Sequence, residues 1–164
     1  MQHAVELKNI LTQELDIYLQ LLALGKEKTK LMVDRKLTEL QATVAQEEEL
    51  VQQLIDFEPL RQEQVMAMVG EPTVKLEVLV EKVSDEALKT ELIDLGSKLR
   101  EVVEEIKVIN DGNQRLAQAG LEVAQHTIRI MTKVPKPATY GPGKGQPNNS
   151  QPNLRGRSLF DLKA

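Results

Sequence analysis

One uninterrupted heptad pattern between residues 87 and 131 constrains the fold of this chain more than any other feature. Steps of four and three residues alternate without a slip, and the positions are mostly apolar: Leu88, Leu92, Leu95, Leu99, Val102, Ile106, Ile109, Asn113, Leu116, Gly120, Val123, Thr127 and Ile130. This spacing keeps one stripe of side chains on one face of a helix. The pattern is typical of coiled-coil packing.

The same stretch contains the sequence Asn110-Asp111-Gly112-Asn113, which in isolation is a turn signal. A turn at this point would have no reason to leave the downstream apolar residues in the upstream phase. We therefore predict one continuous helix over residues 87–131, which at 1.5 Å per residue would be roughly 60 Å long. Its far end is expected to cover a partner or to be covered by one.

The composition of residues 1–133 is that of long helices, because Ala, Glu, Leu, Lys and Arg occupy 64 of these 133 positions. The whole chain has only four aromatic residues, so the core must be aliphatic. We predict an all-α fold, in which an elongated antiparallel helical hairpin packs with a long C-terminal helix in a coiled-coil-like bundle. The predicted domains are a helical bundle at 1–133 and a Pro/Gly-rich flexible tail at 134–164.

The hairpin is predicted from a change of phase. Two neighbouring apolar stripes run along residues 4–32, so the first helix should be buried on two sides. The phase breaks at residues 33–36, where Asp34 is a candidate N-cap for a second helix folded back on the first. A short third helix over residues 74–83 is expected to lie across the hairpin, and Ser84 is predicted to cap the long helix.

The heptad positions of the second helix turn polar at Glu47, Glu58 and Arg61. One interpretation is that these positions lie beyond the packed part of the hairpin and face water. The alternative is a buried Glu and Arg pair that fixes the register of the two helices, which is costly unless it is well satisfied. Pro59 keeps the phase on both sides, so it predicts a kink rather than a helix end.

The segment after Lys133 differs from the body in charge and composition. It carries a net charge of +4, whereas residues 1–133 carry 16 basic and 24 acidic residues and a net charge of −8. Its low mean hydropathy predicts a flexible tail. Tyr140 and the cluster Leu159, Phe160 and Leu162 interrupt that character, and we interpret the cluster either as a docking element or as a segment that folds back onto the bundle.

Several function classes are disfavoured by the sequence. The acidic body disfavours nucleic-acid binding, which needs clustered basic residues. Cysteine is absent, and no apolar run is long enough to span a bilayer, so we expect a cytoplasmic protein without stable membrane insertion.

Catalytic and metal-binding motifs are likewise not recognisable. Glu122 and His126 form a lone helical pair rather than the ligand set of a di-metal site. The Gly-rich stretch at residues 141–145 lacks the spacing and the preceding strand of a phosphate loop. We therefore expect neither enzymatic activity nor a cofactor.

Asn110 and Asn113 place amides in and beside the stripe of the long helix. A polar layer that fixes register, at some loss of stability, is the structural interpretation. Gly25, Gly112 and Gly120 each cost about 1 kcal/mol relative to Ala in a helix interior. Such a loss is tolerated where a close backbone approach, or adjustment on binding, is gained.

A set of motifs along the whole chain resembles a known family. They are Leu15-x-x-Tyr18-x-x-Leu21-Leu22, Glu47-Glu48-x-Leu50, Glu58-x-x-Arg61, Asn110-x-x-Asn113-x-x-Leu116, Tyr140-Gly141 and the end Phe160-Asp161-x-Lys163-Ala164. In these the chain resembles the FlgN-type flagellar export chaperones, cytosolic type III secretion chaperones for the two hook-filament junction proteins, FlgK and FlgL.

The resemblance implies a protein that holds the aggregation-prone C-terminal segments of its clients, keeps them competent for export and delivers them to the membrane export gate protein FlhA. It also implies that the C-terminal part of the chain binds the client. By the same resemblance, a tyrosine in that part acts at the gate, and Tyr140 is the tyrosine in that half of this chain.

Combined with the long apolar stripe, the resemblance predicts a client-binding surface formed by Asn110, Asn113, Leu116, Val123, Ile130 and Met131. Tyr140, Leu159, Phe160 and Leu162 are the predicted gate or docking residues. One rival interpretation is a structural coiled-coil adaptor that forms a homodimer through the long helix. Another is a peripheral protein whose basic tail attracts anionic lipid.

Overall fold

The computed structural model describes residues 1–132, and within them helices joined by short turns form all of the regular secondary structure, with no strand. The helices are α1 (Gln2–Val33), α2 (Leu37–Val69), α3 (Leu76–Glu81) and α4 (Glu86–Thr132). The predicted all-α bundle is confirmed. Two compact units divide the described residues at position 118, so residues 1–118 and residues 119–132 are treated separately. The predicted tail, 134–164, lies outside the described residues.

α1 and α2 form the predicted antiparallel hairpin. His3 Nδ1 lies 2.8 Å from Gln64 Oε1 at one end of the pair. At the other end, Lys28 Nζ lies 2.7 Å from Glu47 Oε2. α1 is buried on two sides, as the double stripe predicted, because it also packs on α4, where Leu7 and Leu11 share a buried cluster with Leu88 and Leu92.

The turn between α1 and α2 corrects the prediction for Asp34. The backbone N–H groups of Arg35 and Lys36 donate to the carbonyls of Met32 and Leu31, at 3.2 and 2.9 Å, which closes α1 with a Schellman motif. Arg35 supplies the left-handed residue of that motif, with φ 57°. Asp34 is therefore the C-cap of α1 and not the N-cap of α2, which begins after Lys36 without a side-chain cap.

α2 continues through Pro59 to Val69, so the prediction that this proline does not end the helix is confirmed. The helix ends at Gly70, which adopts a left-handed conformation with φ 80°. Although α2 has 33 residues, only Thr43 and Val65 are buried. Much of its apolar surface therefore remains partly exposed.

α3 is shorter than predicted but packs as expected against the base of the hairpin. Leu79, Val80 and the following Val83 join a buried cluster with residues of the other three helices: Ala4, Leu7, Leu11, Val65, Leu88 and Leu92. α3 also approaches α4 closely, because a Cβ on Gly96 would overlap the side chain of Leu76. This cluster fixes the beginning of α4.

α4 runs without interruption from Glu86 to Thr132, through the Asn-Asp-Gly-Asn sequence, so the prediction from the heptad phase is confirmed. The predicted cap, Ser84, is wrong. The Asp85 carboxylate accepts the backbone N–H groups of Ala87 and Leu88 at 2.9 and 3.2 Å. None of the four helices has the length and apolarity that crossing a membrane would require.

Candidate functional site

The segment 119–132 of α4 presents large apolar side chains to solvent. The exposed fractions run from 52% for Leu121 to 77% for Met131, with Val123, Ile128 and Ile130 between them. Contiguous apolar surface of this kind marks an interaction site on a soluble protein. The segment is therefore the main candidate for a binding surface.

These side chains lie on one half of the helix. At 3.6 residues per turn, the apolar residues of the segment cover about half of the circumference. That half, which we call the apolar half of the segment 119–132, carries Leu121, Val123, Ala124, Ile128, Ile130 and Met131. The other half carries Glu122, Gln125, His126, Arg129 and Thr132. Such an amphipathic helix can bind the apolar face of a second helix or occupy an apolar groove.

The structure does not place all six predicted client-binding residues on the same kind of surface. Val123, Ile130 and Met131 belong to the apolar half of the segment 119–132, whereas Leu116 lies in the first unit and is 38% exposed. Asn113, in contrast, is buried with an exposed fraction of 6%. Asn110 is half-buried.

Asn113 connects α4 to α1 through its side-chain amide. Its Nδ2 donates to the backbone carbonyl of Gly25 at 2.9 Å, and the hydroxyl of Thr29 donates to its Oδ1 at 2.6 Å. Both ends of the amide therefore have a partner, so its burial leaves no polar group unsatisfied. This geometry favours the interpretation of Asn113 as a polar layer within the bundle.

Gly25 makes this contact possible because the two helices approach closely at that point. A Cβ on Gly25 would lie 3.1 Å from Cγ2 of Ile109. The close-approach explanation therefore applies to Gly25. It does not apply to Gly112 or Gly120, where an added Cβ would meet nothing within 4 Å.

We expect Asn113→Ala to lower the free energy of unfolding by about 2 kcal/mol, because it removes a buried hydrogen-bonding side chain and leaves a small cavity. Urea unfolding followed by circular dichroism measures this loss. Gln114→Ala is the matched control, since Gln114 is the next residue on the same helix and is exposed. If both variants lose the same stability, the polar layer does not stabilise the bundle.

A second polar cluster lies between α1 and α2. Glu14 is buried, with an exposed fraction of 8%, and its Oε1 lies 3.8 Å from Nε of Arg61. Arg61 is already engaged with Glu58, because its Nη2 and Nε lie 2.6 and 3.2 Å from Glu58 Oε2. Burial raises the pKa of Glu14 to about 7, and the nearby charges of Arg61 and Glu58 act in opposite directions on it.

The same cluster changes the titration of its other members. Burial raises the pKa of Tyr18 to about 12, and the charge of Glu14 adds to this effect. For Glu58, burial also acts to raise the pKa, but the hydrogen bonds from Arg61 and Gln62 outweigh it and hold this pKa below its usual value. Of the two carboxyl groups in the cluster, Glu14 is thus the one whose pKa burial raises above its ordinary value.

The polar heptad positions of α2 are paired rather than simply solvated. The side chains of Glu47 and its partner Lys28 are only 18% and 17% exposed. Glu58 and Arg61 are about one-third exposed and pair with each other. These positions are therefore neither freely solvated nor a buried Glu–Arg pair between two helices: Glu58 and Arg61 pair within α2 and are partly exposed, and the contact with α1 is the approach of Arg61 to Glu14.

Sequence analysis did not single out Glu14. A signal was available, because steps of four, three and four from Leu7 lead to Leu11, Glu14 and Tyr18, all of which are buried. The four predicted gate or docking residues, Tyr140, Leu159, Phe160 and Leu162, lie outside the described residues. Within residues 1–132, no group of three or more His, Cys, Asp or Glu side chains is arranged to hold a metal ion.

Comparison with known proteins adds one match. The model of a protein family described as FlgN protein matches residues 1–148 of this chain. No curated protein and no solved structure matches it. The family match covers the four helices described above.

Proposed function

Because the chain belongs to the FlgN family and so has the role of a flagellar export chaperone, we propose that it binds FlgK and FlgL, the hook-filament junction proteins. It holds their C-terminal helical segments, prevents their premature assembly and delivers them to the export gate protein FlhA. It acts in the cytoplasm, without a cofactor and without enzymatic activity.

The apolar half of the segment 119–132 is the observation that supports this proposal. Five large apolar side chains in 14 residues are more than half exposed. Fully burying such a side chain contributes about 1.5–3 kcal/mol. A client helix with an apolar face would gain this burial, and the contact would cover the surface through which the client aggregates.

We assign direct client contacts to Val123, Ile130 and Met131, with Leu116 as a further contact. Asn110, which is half-buried in the unit of residues 1–118, is proposed as a separate client contact. Asn113 contributes by holding α4 against α1, because its amide is already bonded to Gly25 and Thr29. Tyr140 is the proposed gate residue, and Leu159, Phe160 and Leu162 form the proposed docking element.

The double substitution Val123→Glu with Ile130→Glu tests the proposal. We expect the affinity for C-terminal segments of FlgK and FlgL to fall by about a hundredfold, because two carboxylates would be buried against an apolar client helix. Isothermal titration calorimetry with the full chain measures this affinity. The double variant Gln125→Glu with Thr132→Glu is the control for the added charge. It introduces the same two negative charges on the half of the segment opposite the apolar half.

Circular dichroism establishes that both double variants retain their helices. Unchanged client affinity in the Val123 and Ile130 variant would refute the assignment of the surface. An equal loss in both variants would show that the charge alone, and not the apolar half, controls binding.

The same exposed half supports one alternative, a coiled-coil adaptor that forms a homodimer through α4. Sedimentation equilibrium distinguishes the two functions. An adaptor stays dimeric when client segments are added, whereas a chaperone forms a complex with the client whose mass includes the client segment.

A further inference from the structure

The negative charge of the helical body is concentrated on α2. This helix carries one basic residue, Arg61, and seven acidic ones: Glu39, Glu47, Glu48, Glu49, Asp56, Glu58 and Glu63. Its net charge is therefore −6, of the −8 carried by residues 1–133. α1, which is nearly as long, has four acidic and four basic residues. The asymmetry needs an explanation beyond solubility.

Some of these carboxylates are paired with basic side chains of the same chain, but others are not. Glu47 pairs with Lys28, Glu58 pairs with Arg61, and Glu39 lies 3.8 Å from Lys36. The remaining carboxylates are exposed and have no ion-pair partner among residues 1–132: Glu48, Glu49, Asp56 and Glu63. Asp56 accepts only a hydrogen bond, from Gln52 at 3.0 Å.

An exposed apolar line runs beside these carboxylates. Val44, Ile55 and Met66 recur at intervals of 11 residues and are 37%, 45% and 51% exposed. Eleven residues make about three helical turns, so the three side chains lie on one line along the helix. The line is about a quarter of the circumference from the buried Thr43 and Val65, each of which directly precedes one of its members.

The carboxylates lie on the side of the line that faces away from the core. At about 100° per residue, Glu48 falls within the line itself, and Glu49, Asp56 and Glu63 fall on its solvent side. We call the surface formed by Val44, Ile55, Met66 and these four carboxylates the acidic face of α2. It combines an apolar stripe with a one-sided row of uncompensated negative charges.

We propose that the acidic face of α2 is a docking surface for a basic amphipathic helix of another protein. The apolar residues of that helix pack on the line of Val44, Ile55 and Met66, and its Lys or Arg side chains face the row of carboxylates. The line spans residues 44–66, a rise of about 33 Å along the helix. This length suits a partner helix of similar extent lying along α2.

Charge selects this occupant over others. Two copies of the chain would place the same carboxylates opposite each other, and like charges across an interface disfavour association. Nucleic acids and anionic lipids are repelled for the same reason. The surface shares no residue with the segment to which we assign client binding, so the two binding events are separable by mutation.

A labelled model peptide tests the proposal with the full chain. The peptide carries Leu at alternating steps of three and four and Lys at the flanking positions, and its counterpart carries Glu in place of Lys. Fluorescence anisotropy should show binding of the Lys peptide, weakened by added salt, and no binding of the Glu peptide.

Two sets of substitutions remove the two components of the surface. Ile55→Gln with Met66→Gln removes two of the three apolar side chains of the line, and the triple change Glu48→Gln, Glu49→Gln and Glu63→Gln removes three of the four negative charges at exposed positions. We expect each set to weaken binding by about tenfold. The matched controls should leave binding unchanged: Leu19→Gln on α1, which is 47% exposed, and Glu101→Gln with Asp111→Asn on α4.

Three results would overturn the proposal. Equal binding by all variants would show that the peptide does not use the acidic face of α2. An increase in affinity on Phe160→Ser with Leu162→Ser would identify the chain's own C-terminal residues as the occupant. A dimer of the free chain that Ile55→Gln abolishes in sedimentation would identify a second copy as the occupant.

Discussion

Leu92→Ala is expected to lower the free energy of unfolding by about 3 to 4 kcal/mol, in the upper part of the range for truncating a buried leucine. Leu92 has an exposed fraction of 0% and belongs to the cluster in which all four helices meet. Its truncation leaves a cavity between Leu7, Leu79 and their neighbours. Since small domains are stable by only about 5–15 kcal/mol, the loss is a large part of the total.

Urea unfolding measured by circular dichroism gives this value, and Ile93→Ala is the control. Ile93 is adjacent on the same helix but 51% exposed, so its truncation should cost less than about 1 kcal/mol. Amide hydrogen exchange in α3 should accelerate in the Leu92 variant, because α3 is short and held mainly by this cluster. An equal loss of stability in the two variants contradicts the role of the cluster.

The path of α4 could be predicted from the sequence because periodicity over many turns outweighs a local turn signal. If the helix broke at Gly112, the apolar residues after it would have no reason to keep the heptad phase of those before it. All of them keep that phase. The contacts of Asn113 could not be predicted in the same way. They depend on the axial register of α1 against α4, which places Gly25 and Thr29 opposite Asn113.

The capping residues of the helices could be predicted from the sequence only to within one or two positions. Asp34 and Ser84 have the residue types that favour N-caps, but so does Asp85. The Schellman motif at Arg35 makes Asp34 the C-cap of α1, so α2 begins at Leu37 rather than at Arg35, and Asp85 rather than Ser84 bonds the first N–H groups of α4. Residue preference identifies a cap region, while the hydrogen bonds decide which residue occupies it.

Glu14 lies at a position that the heptad steps indicate, and yet its environment could not be predicted. The adjacent Leu15 is apolar and continues the stripe of Leu7, Leu11 and Tyr18, so the sequence alone favours this leucine over Glu14 as the buried residue. The structure shows Glu14 buried and Leu15 only partly buried. The pairing of Glu14 with Arg61 depends on the register of α2 against α1, which the turn at Arg35 sets.

Stability should fall as the pH rises from about 5 to 8, and Glu14→Gln should remove much of this dependence. The folded-state pKa of Glu14 is about 7, above its ordinary value of 4.5, because burial disfavours the carboxylate. The folded protein therefore binds this proton more tightly than the unfolded chain does. The resulting stability is fully present below about pH 4.5 and is lost as the pH rises through 7.

The rise in the pKa of Glu14 from 4.5 to about 7 corresponds to about 3 kcal/mol of folding stability, at 1.36 kcal/mol per pKa unit. This stability is present below about pH 4.5 and is lost above pH 7. The charged groups that act on Glu14 are Arg61 and Glu58 of α2, and Tyr18 lies one turn further along α1. The lowered pKa of Glu58 affects stability only as the pH falls below its ordinary value, outside this range. The slope between pH 5 and 8 therefore reports on Glu14.

Urea unfolding at a series of pH values between 5 and 8 measures the slope for the wild type and for two variants. Gln resembles the protonated carboxyl group and cannot ionise, so Glu14→Gln should match the wild type near pH 5 and exceed its stability at pH 8. Glu6→Gln is the control, because Glu6 lies on the same helix and is exposed. Its profile should follow that of the wild type. If Glu14→Gln retains the full slope, another group carries the proton, and the Glu14 carboxyl is ionised within the fold at pH 5.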